Sequence, residues 1–181
     1  MHNDRNAQFR LYQLYSKAML NTANRILNNP GDAEDAMQEG FLSAFTYIRR
    51  YDYSVSFGTW LKKIVINKSL DIFRKKSRLV FTEELDGIID ENAGLYTDNF
   101  NESSEKDNVI RAIYEALYGL PDGYRIVFSL NVIEGYDHDE ISSILGITAS
   151  ASRSQLARAR KLLQKKLSEN TSIIKYRSAY G

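Results

Sequence analysis

The fold follows most directly from YDHDEISSILGITASASRSQLARARKLLQKKL, residues 136–167. Asp137 followed three residues later by Glu140 is typical of a capping box, so we expect a helix to begin there. Gly146 suits a tight turn, and Ile147 with Thr148 leads into a basic helix of about four turns. A short helix, a glycine turn and a longer helix predict a helix-turn-helix. The side of the first helix expected to be buried consists of Ile141, Ile144 and Leu145.

The longer helix of this pair has two unlike faces. One side collects Ser152, Leu156, Ala159 and Leu163 and is predicted to pack against the domain. The opposite side mixes small polar residues with long cations, which allows a helix to enter the major groove and hold phosphates and base edges. A terminal helix with a solvated basic face is the alternative. Because the glycine turn and the basic charge coincide, we favour DNA binding, with the candidate contacts Ser150, Arg153, Ser154, Arg158 and Lys161.

Charge is segregated along the 181-residue chain although the formal net charge is only +1. Residues 1–82 hold 13 basic and 7 acidic side chains, residues 83–107 hold 1 and 9, residues 108–147 hold 2 and 6, and residues 148–181 hold 8 and 1. An acidic stretch therefore separates two basic blocks, and a basic block is the footprint expected where a polyanion binds.

Composition excludes several kinds of chemistry. The chain has no cysteine and only two histidines, His2 and His138, which rules out disulfides and thiolate sites and disfavours a histidine metal site. No glycine-rich phosphate loop and no nucleophile with a histidine partner is recognisable, so we expect no catalytic site, no metal and no cofactor. Without a signal-peptide core or about 18 consecutive apolar residues, we expect a cytoplasmic protein that does not insert into a membrane.

The first half of the chain predicts three helices. Apolar spacings of three and four predict the first over residues 8–28, which NNPG at 28–31 breaks. Asp32 is predicted to cap the second, which runs to about Arg50. After an aromatic loop, SFGTWLKKIVINKSLDIFRKK at 56–76 forms the third, with apolar residues on two faces, so we expect it to be covered from two directions. Its cations could meet a polyanion, or they could simply complement the helix dipole.

The remaining segments complete an all-α prediction. Residues 81–107 are acidic and rich in Asn and Ser, which indicates a flexible linker. Beyond it, a helix ends at Gly119, and Pro121 opens another that Gly135 closes. The residues expected to be buried in that second helix are Ile126, Val127, Leu130 and Ile133. We therefore predict two small helical domains, residues 1–80 and 108–170, joined by the linker 81–107 and followed by a tail 171–181, the second domain being a helix-turn-helix (winged-helix-like) DNA-binding domain.

Several segments in one order resemble a known family. They are DAEDAMQEGFLSAF, FGTWLKKIVINKSLDIFRKK, an acidic linker, LPDGYRIVFSLNVIEGYDHDEISSILGI and SRSQLARARKLL. Together, from about Tyr12 to Leu167, they resemble bacterial RNA polymerase sigma factors of the extracytoplasmic-function (ECF) type, in the sigma-70 family. The resemblance implies a transcription initiation factor, not an enzyme, that binds core RNA polymerase, directs it to promoters and assists strand opening. The first domain would open the downstream (minus-ten) element and the second would read the upstream (minus-thirty-five) element.

The resemblance also implies which residues act. On the second helix, the surface that would grip core polymerase is Asp35, Gln38, Glu39 and Leu42. The loop from Tyr51 to Ser56 would capture a flipped base of the non-template strand, since single strands are held by aromatic stacking and cation clamps. Trp60 shares a face with Ile64, so its packing in the core is equally compatible with the pattern. The candidates for strand opening are Tyr51, Tyr53, Phe57, Trp60, Lys62, Lys63, Asn67, Arg74 and Lys75.

The partners implied are core RNA polymerase, promoter DNA and an anti-sigma factor, which in this family often clamps the two domains together. Two alternatives remain. One is a free-standing helix-turn-helix regulator that binds duplex DNA without polymerase. The other is a helical adaptor for protein partners, whose basic faces serve only solubility.

Overall fold

The computed structural model describes residues 4–77, 105–170 and 173–174. The chain divides into two compact units, Met1–Leu79 and Val80–Gly181. The described residues are helical and contain no β-strand, so the predicted all-α class is confirmed and no β wing accompanies the helix-turn-helix there. Most of the predicted linker and tail lies outside the described residues. Within those residues, no helix is long and apolar enough to cross a membrane, and no three His, Asp or Glu side chains are placed to hold a metal ion.

In residues 4–77, the first unit consists of three mutually packed α-helices. Helix α1 spans Arg5–Leu27, α2 spans Pro30–Thr46 and α3 spans Phe57–Ser77. Helix α2 ends earlier than the expected Arg50, because the chain tightens into a 3-10 turn at Ile48–Arg50. The three helices share a buried core cluster: Met19, Ala23, Ala33, Ala36, Met37, Phe41, Ala44, Leu61 and Val65.

The NNPG turn both ends α1 and begins α2. Asn28 takes a left-handed backbone conformation, with φ of 50°, and closes α1. Asn29 then caps α2 by accepting a hydrogen bond from the Asp32 backbone N–H at 3.0 Å. The cap predicted at Asp32 is therefore wrong, because Pro30, whose fixed φ suits the first helical position, begins the helix three residues earlier than a cap at Asp32 would. Asp32 instead forms an ion pair with Lys76 of α3.

Helix α3 is covered from two directions, as its pattern predicts. Leu61 and Val65 belong to the core shared with α1 and α2. Gly40 lets α2 approach closely, since a Cβ at that position would lie only 2.5 Å from Val65 Cγ2. On the other side of α3, Ile66, Leu70 and Phe73 are also buried.

The described part of the second unit is a bundle of four α-helices. Helix α4 spans Glu105–Tyr118 and so begins inside the predicted linker; α5 spans Asp122–Phe128, α6 spans His138–Leu145 and α7 spans Ala149–Glu169. Helix α7 packs against α4, α5 and α6. One buried cluster in this unit is formed by Ala116, Leu117, Leu120, Tyr124, Ala159 and Leu163.

Helix α5 continues into a π-helical segment, Ser129–Ile133. The wider turn of a π-helix shifts the phase of the residues that follow. Leu130 remains buried as predicted, but Val132 and Ile133 are 48% and 44% exposed. The predicted burial of Ile133 is therefore wrong, because it assumed an unbroken α-helical period.

The helix-turn-helix forms as predicted. Asp137 Oδ1 accepts the Glu140 backbone N–H at 2.8 Å, and Glu140 Oε2 accepts the Asp137 N–H at 2.9 Å, which completes the capping box. Gly146 takes a left-handed conformation with φ of 71° and ends α6. Thr148 Oγ1 accepts the Ala151 N–H at 3.0 Å and begins α7. Of the side expected to be buried, Ile141 and Leu145 are buried and Ile144 is half-buried.

Candidate nucleic-acid interface

The loop before α3 is held by its own hydrogen bonds. The Tyr51 hydroxyl donates to the Val55 carbonyl at 2.7 Å. Asp52 Oδ1 accepts from the Ser54 hydroxyl at 2.7 Å and from the Ser54 backbone N–H at 3.0 Å. These bonds, led by the one from the hydroxyl, lower the pKa of the Asp52 carboxyl from its ordinary 3.8. The loop therefore presents its side chains from a defined backbone.

Four predicted aromatic residues form one cluster at this loop. The Tyr51 ring lies at the centre, with centroids 4.6 Å from Tyr53, 5.9 Å from Phe57 and 5.3 Å from Trp60. Tyr53 is 83% exposed and has a positive φ of 62°, which a bulky residue rarely adopts. An exposed ring on a strained, hydrogen-bonded loop can receive a stacked base without a large change of conformation.

Two of the four rings also pack against the hydrophobic core of the first unit. Phe57 and Trp60 are half-buried and pack against the buried residues of the first unit. The Phe57 ring lies 5.6 Å from that of Tyr15 on α1. Gly58 allows this contact, because a Cβ there would lie 2.7 Å from a carbon of the Tyr15 ring. Trp60 thus packs against the core, which is one of the two interpretations of its sequence position. Its ring also contacts the ring of Tyr51.

The cations of α3 fall into two groups. Lys68 Nζ lies 3.3 Å from Glu39 Oε2, and Lys76 pairs with Asp32, so both connect α3 to α2. Sequence reasoning missed these pairs, since contacts between distant residues leave no local signal. Lys68 and Lys76 are not among the predicted strand-opening residues. Those that follow Trp60 on α3 are arranged along its length: Lys63, Asn67, Arg74 and Lys75 are exposed, Lys62 is half-buried, and Arg74 lies 3.4 Å from Asp71.

The surface predicted for core polymerase lies on one exposed side of α2. Leu42 is 68% exposed and offers an apolar surface between polar side chains. Around it lie three exposed polar residues, Asp35, Gln38 and Glu39. Gln38 Nε2 donates to Glu34 Oε1 at 3.2 Å, one turn away. The structure thus brings all four predicted residues together.

Helix α7 shows the two faces that its sequence predicts. Ser152, Leu156, Ala159 and Leu163 are buried. Ser152 Oγ also lies 2.9 Å from His138 Nδ1, which ties α7 to α6. The predicted DNA-contacting residues are all exposed: Ser150, Arg153, Ser154, Arg158 and Lys161. The Arg158 guanidinium donates to the Tyr124 hydroxyl at 3.3 Å, so it is partly oriented before any ligand binds.

A surface hollow of about 230 Å³ lies along the first half of α7. Its lining residues are Thr148, Ser150, Ala151, Ser154, Gln155 and Arg158. Gln155 is only 4% exposed, and neither of its amide atoms has a hydrogen-bond partner in the described part of the chain. Sequence reasoning missed Gln155, because its helical position lies at the edge of the buried side and gives no clear signal.

Both units match family models. Sigma-70 region 2 matches residues 11–79, and Sigma-70, region 4 matches residues 110–163. The ECF RNA polymerase sigma factor SigW of Bacillus subtilis (strain 168) is 30% identical over 179 residues, and the match covers 91% of this chain and 90% of the relative. The chain belongs to the ECF type of the sigma-70 family. The family resemblance seen in the sequence is thereby confirmed, and the alternative of a free-standing regulator is not favoured.

Further similarities agree with this ECF sigma factor assignment. The ECF RNA polymerase sigma factor SigE of Mycolicibacterium smegmatis (strain ATCC 700084 / mc(2)155) is 30% identical over 166 residues, which cover 90% of this chain and 62% of that relative. A solved structure of the sigma factor RpoE in complex with the anti-sigma factor NepR from Bartonella quintana has a TM-score of 0.59 and 21% identity, covering 89% of this chain and 96% of that one. That likeness shows a shared fold. The aromatic loop lies within the region 2 match, and the two-faced part of α7 lies within the region 4 match.

Proposed function

We propose that this ECF sigma factor binds core RNA polymerase, directs it to specific promoters and assists strand opening. The observation that carries the proposal is Tyr53, an 83% exposed ring on a hydrogen-bonded loop within the segment that matches Sigma-70 region 2. Sigma factors are regulatory proteins, and we infer that this one catalyses no bond change. It acts by binding separated strands better than duplex DNA.

Strand opening is favoured by stacking at the aromatic loop. One base-pair step of duplex DNA is worth about 1.4 kcal/mol on average, and stacking of a base on an aromatic side chain is worth about 1–3 kcal/mol. A base stacked on Tyr53 therefore offsets roughly one lost step, and a few captured bases are enough to nucleate opening. The residues we assign to this site are Tyr51, Tyr53, Phe57 and Trp60 for the bases, with Lys62, Lys63, Asn67, Arg74 and Lys75 along the strand.

The exposed side of α2 is the surface we assign to core polymerase. Asp35 and Glu39 flank the apolar Leu42, and Gln38 completes the patch. A protein interface of this composition suits a basic partner surface, because the charges steer association while the leucine supplies buried apolar area.

The exposed face of α7 is the surface we assign to the upstream promoter element. Arg153 is the residue most able to contact base edges, while Ser150, Ser154, Arg158 and Lys161 position the helix on phosphates. If a base contact is lost, Arg153→Ala should weaken upstream-element binding by about 1–3 kcal/mol and relax the preference at that position. In this assignment residues 1–80 bind polymerase and open DNA, residues 108–170 read the upstream element, and 81–107 link them.

Regulation by a second protein is part of the proposal. The similar RpoE structure contains the anti-sigma factor NepR. We propose that this chain likewise has an anti-sigma partner, and that it acts in the cytoplasm where polymerase and promoter DNA are found.

Addition of purified core polymerase tests the proposal. We expect stable association by size-exclusion chromatography and specific run-off transcription from a selected promoter. Asp35→Arg should abolish association while the circular dichroism spectrum stays helical, and Glu115→Arg, which makes the same charge change on the exposed side of α4, should not. Tight binding to duplex DNA without core polymerase would instead support the free-standing regulator. If the protein neither associates with core polymerase nor binds duplex DNA tightly, the result would support an adaptor.

A further inference from the structure

The hollow on α7 is chemically one-sided. Ser150 and Ser154 supply hydroxyl groups, Gln155 supplies an amide and Arg158 supplies a permanent positive charge. None of the six lining residues is acidic. The hollow also lies beside the first turns of a 21-residue helix, whose dipole makes that end positive. A ligand with several negatively polarised oxygens fits this set.

The buried side-chain amide of Gln155 is a second feature of the hollow that indicates a ligand. Its side chain is more than nine-tenths buried, yet both amide atoms lack a partner in the described residues. Leaving a buried amide unpaired is unfavourable, and native proteins seldom do so without a reason. Rotation of this side chain into the hollow that it lines would bring its N–H donors to a bound oxygen.

The position of Gln155 on the helix indicates which part of DNA it meets. Ala157 and Lys161 lie near the middle of the exposed face, whereas Gln155 lies at the boundary with the buried side. A helix in the major groove has base edges under its middle and a phosphate backbone along each flank. Glutamine, serine and arginine side chains and helix N-termini all bind phosphate.

We propose that this hollow seats one backbone phosphate of the upstream promoter element, held by Gln155 together with Arg158. The site positions α7 along the duplex and does not itself select a base. This inference rests on the proposed function of α7 and adds to it the DNA group that the flank of the helix binds.

Gln155→Met tests the site in holoenzyme, with Gln164→Met on the exposed far half of α7 as the matched control. Because the amide has no hydrogen-bond partner among the described residues, an apolar side chain of similar shape should keep or raise the melting temperature. The same change should weaken upstream-element binding about tenfold, the loss expected for one hydrogen bond to a charged group. A parallel fall in melting temperature and affinity would make the amide structural and overturn the proposal.

DNA carrying single methylphosphonate substitutions identifies the phosphate. At one position, the substitution should weaken DNA binding by the wild-type holoenzyme about tenfold. It should weaken the already reduced binding by the Gln155→Met holoenzyme only slightly, because the two changes remove the same contact. The logarithmic salt slope should stay constant for Gln155→Met, which removes a neutral donor, and fall by about one for Arg158→Ala. No coupled position, or a changed preference at one base pair in place of coupling, would overturn the phosphate assignment.

The experiments distinguish a failure of the proposed function from a failure of this inference. If wild-type holoenzyme selects no upstream element, the role of α7 in promoter recognition is wrong and the phosphate site falls with it. If an element is selected and Arg153→Ala relaxes it, while Gln155→Met binds like Gln164→Met, only the phosphate site is wrong.

Discussion

Gly40→Ala should push α2 away from α3 and destabilise the first unit. Gly40 lies on the side of α2 that faces α3, away from the proposed polymerase surface. An added Cβ would lie 2.5 Å from Val65 Cγ2 and 3.4 Å from Val65 Cα. The change therefore alters the packing between two helices without altering any residue that we assign to a partner.

The magnitude follows from these distances. Carbon atoms pack best at about 3.5–4.0 Å, so the new methyl would overlap Val65 Cγ2 by about 1 Å or more. Val65 is fully buried and β-branched, which restricts its χ1 in a helix, and the contact to its Cα would persist in any rotamer. Overpacking of this kind typically costs about 1–3 kcal/mol. Alanine also favours the helix by up to about 1 kcal/mol relative to glycine, which partly offsets that cost.

Gly31→Ala is the matched control. It lies on the same helix and makes the same change of residue, but among the residues that the structure describes its Cβ would meet only Asn29 Oδ1, at 3.5 Å. Urea unfolding can be followed by fluorescence of Trp60, the single tryptophan, which reports on the first unit. We expect Gly40→Ala to be about 1–3 kcal/mol less stable than Gly31→Ala, and Val65→Ala to cost less in the Gly40→Ala background than alone. Equal midpoints for the two glycine variants would refute the close packing described here.

Three further predictions concern single interactions. Asp122→Ala should cost about 1–3 kcal/mol in urea unfolding followed by circular dichroism, because Arg125, 1% exposed, loses a carboxylate 2.6 Å away; an unchanged midpoint would contradict this. Ser54→Ala should move the pKa of Asp52 back towards 3.8 in an NMR titration, because it removes the hydroxyl that donates to the carboxylate. Since the pKa is lowered in the folded loop, the bonds to Asp52 stabilise the loop at pH above 3.8 and this stabilisation is lost as the pH falls through the folded-state pKa. An unchanged pKa would exclude the Ser54 hydroxyl as the main cause of the lowered value. Tyr53→Gly should slow open-complex formation on duplex promoters more than on a pre-melted bubble while core binding is retained, whereas equal slowing on both would remove the opening step from Tyr53.

The helix-turn-helix was predictable because its signals are local and agree with one another. Asp137 and Glu140 form the capping box, and Gly146 supplies the left-handed residue. The buried side of α7 repeats every three to four residues, so its opposite face is defined as well. Where propensity, capping and periodicity indicate the same structure, tertiary contacts have little to change.

The wrong predictions arose where local rules compete or distant contacts decide. Asn29 and Asp32 are both good caps, and Pro30 settles the choice by its own backbone geometry. Ile133 fits an α-helical period that the π segment interrupts. The pair between Lys68 and Glu39 depends on how α2 and α3 pack, which neither helix encodes alone.

The packing of α2 connects the two activities proposed for the first unit. Helix α2 turns Leu42 outwards to the proposed polymerase surface, while Gly40 on its other side holds α3 at close range. Helix α3 in turn carries Trp60 and the aromatic loop at its start, and Glu39–Lys68 joins the two helices again further along. Because a packed core transmits displacement instead of absorbing it, a polymerase that grips α2 also fixes where Tyr53 is presented. In the proposed function, core binding and base capture therefore both depend on the packing of α2 against α3, and a change in that packing should impair both.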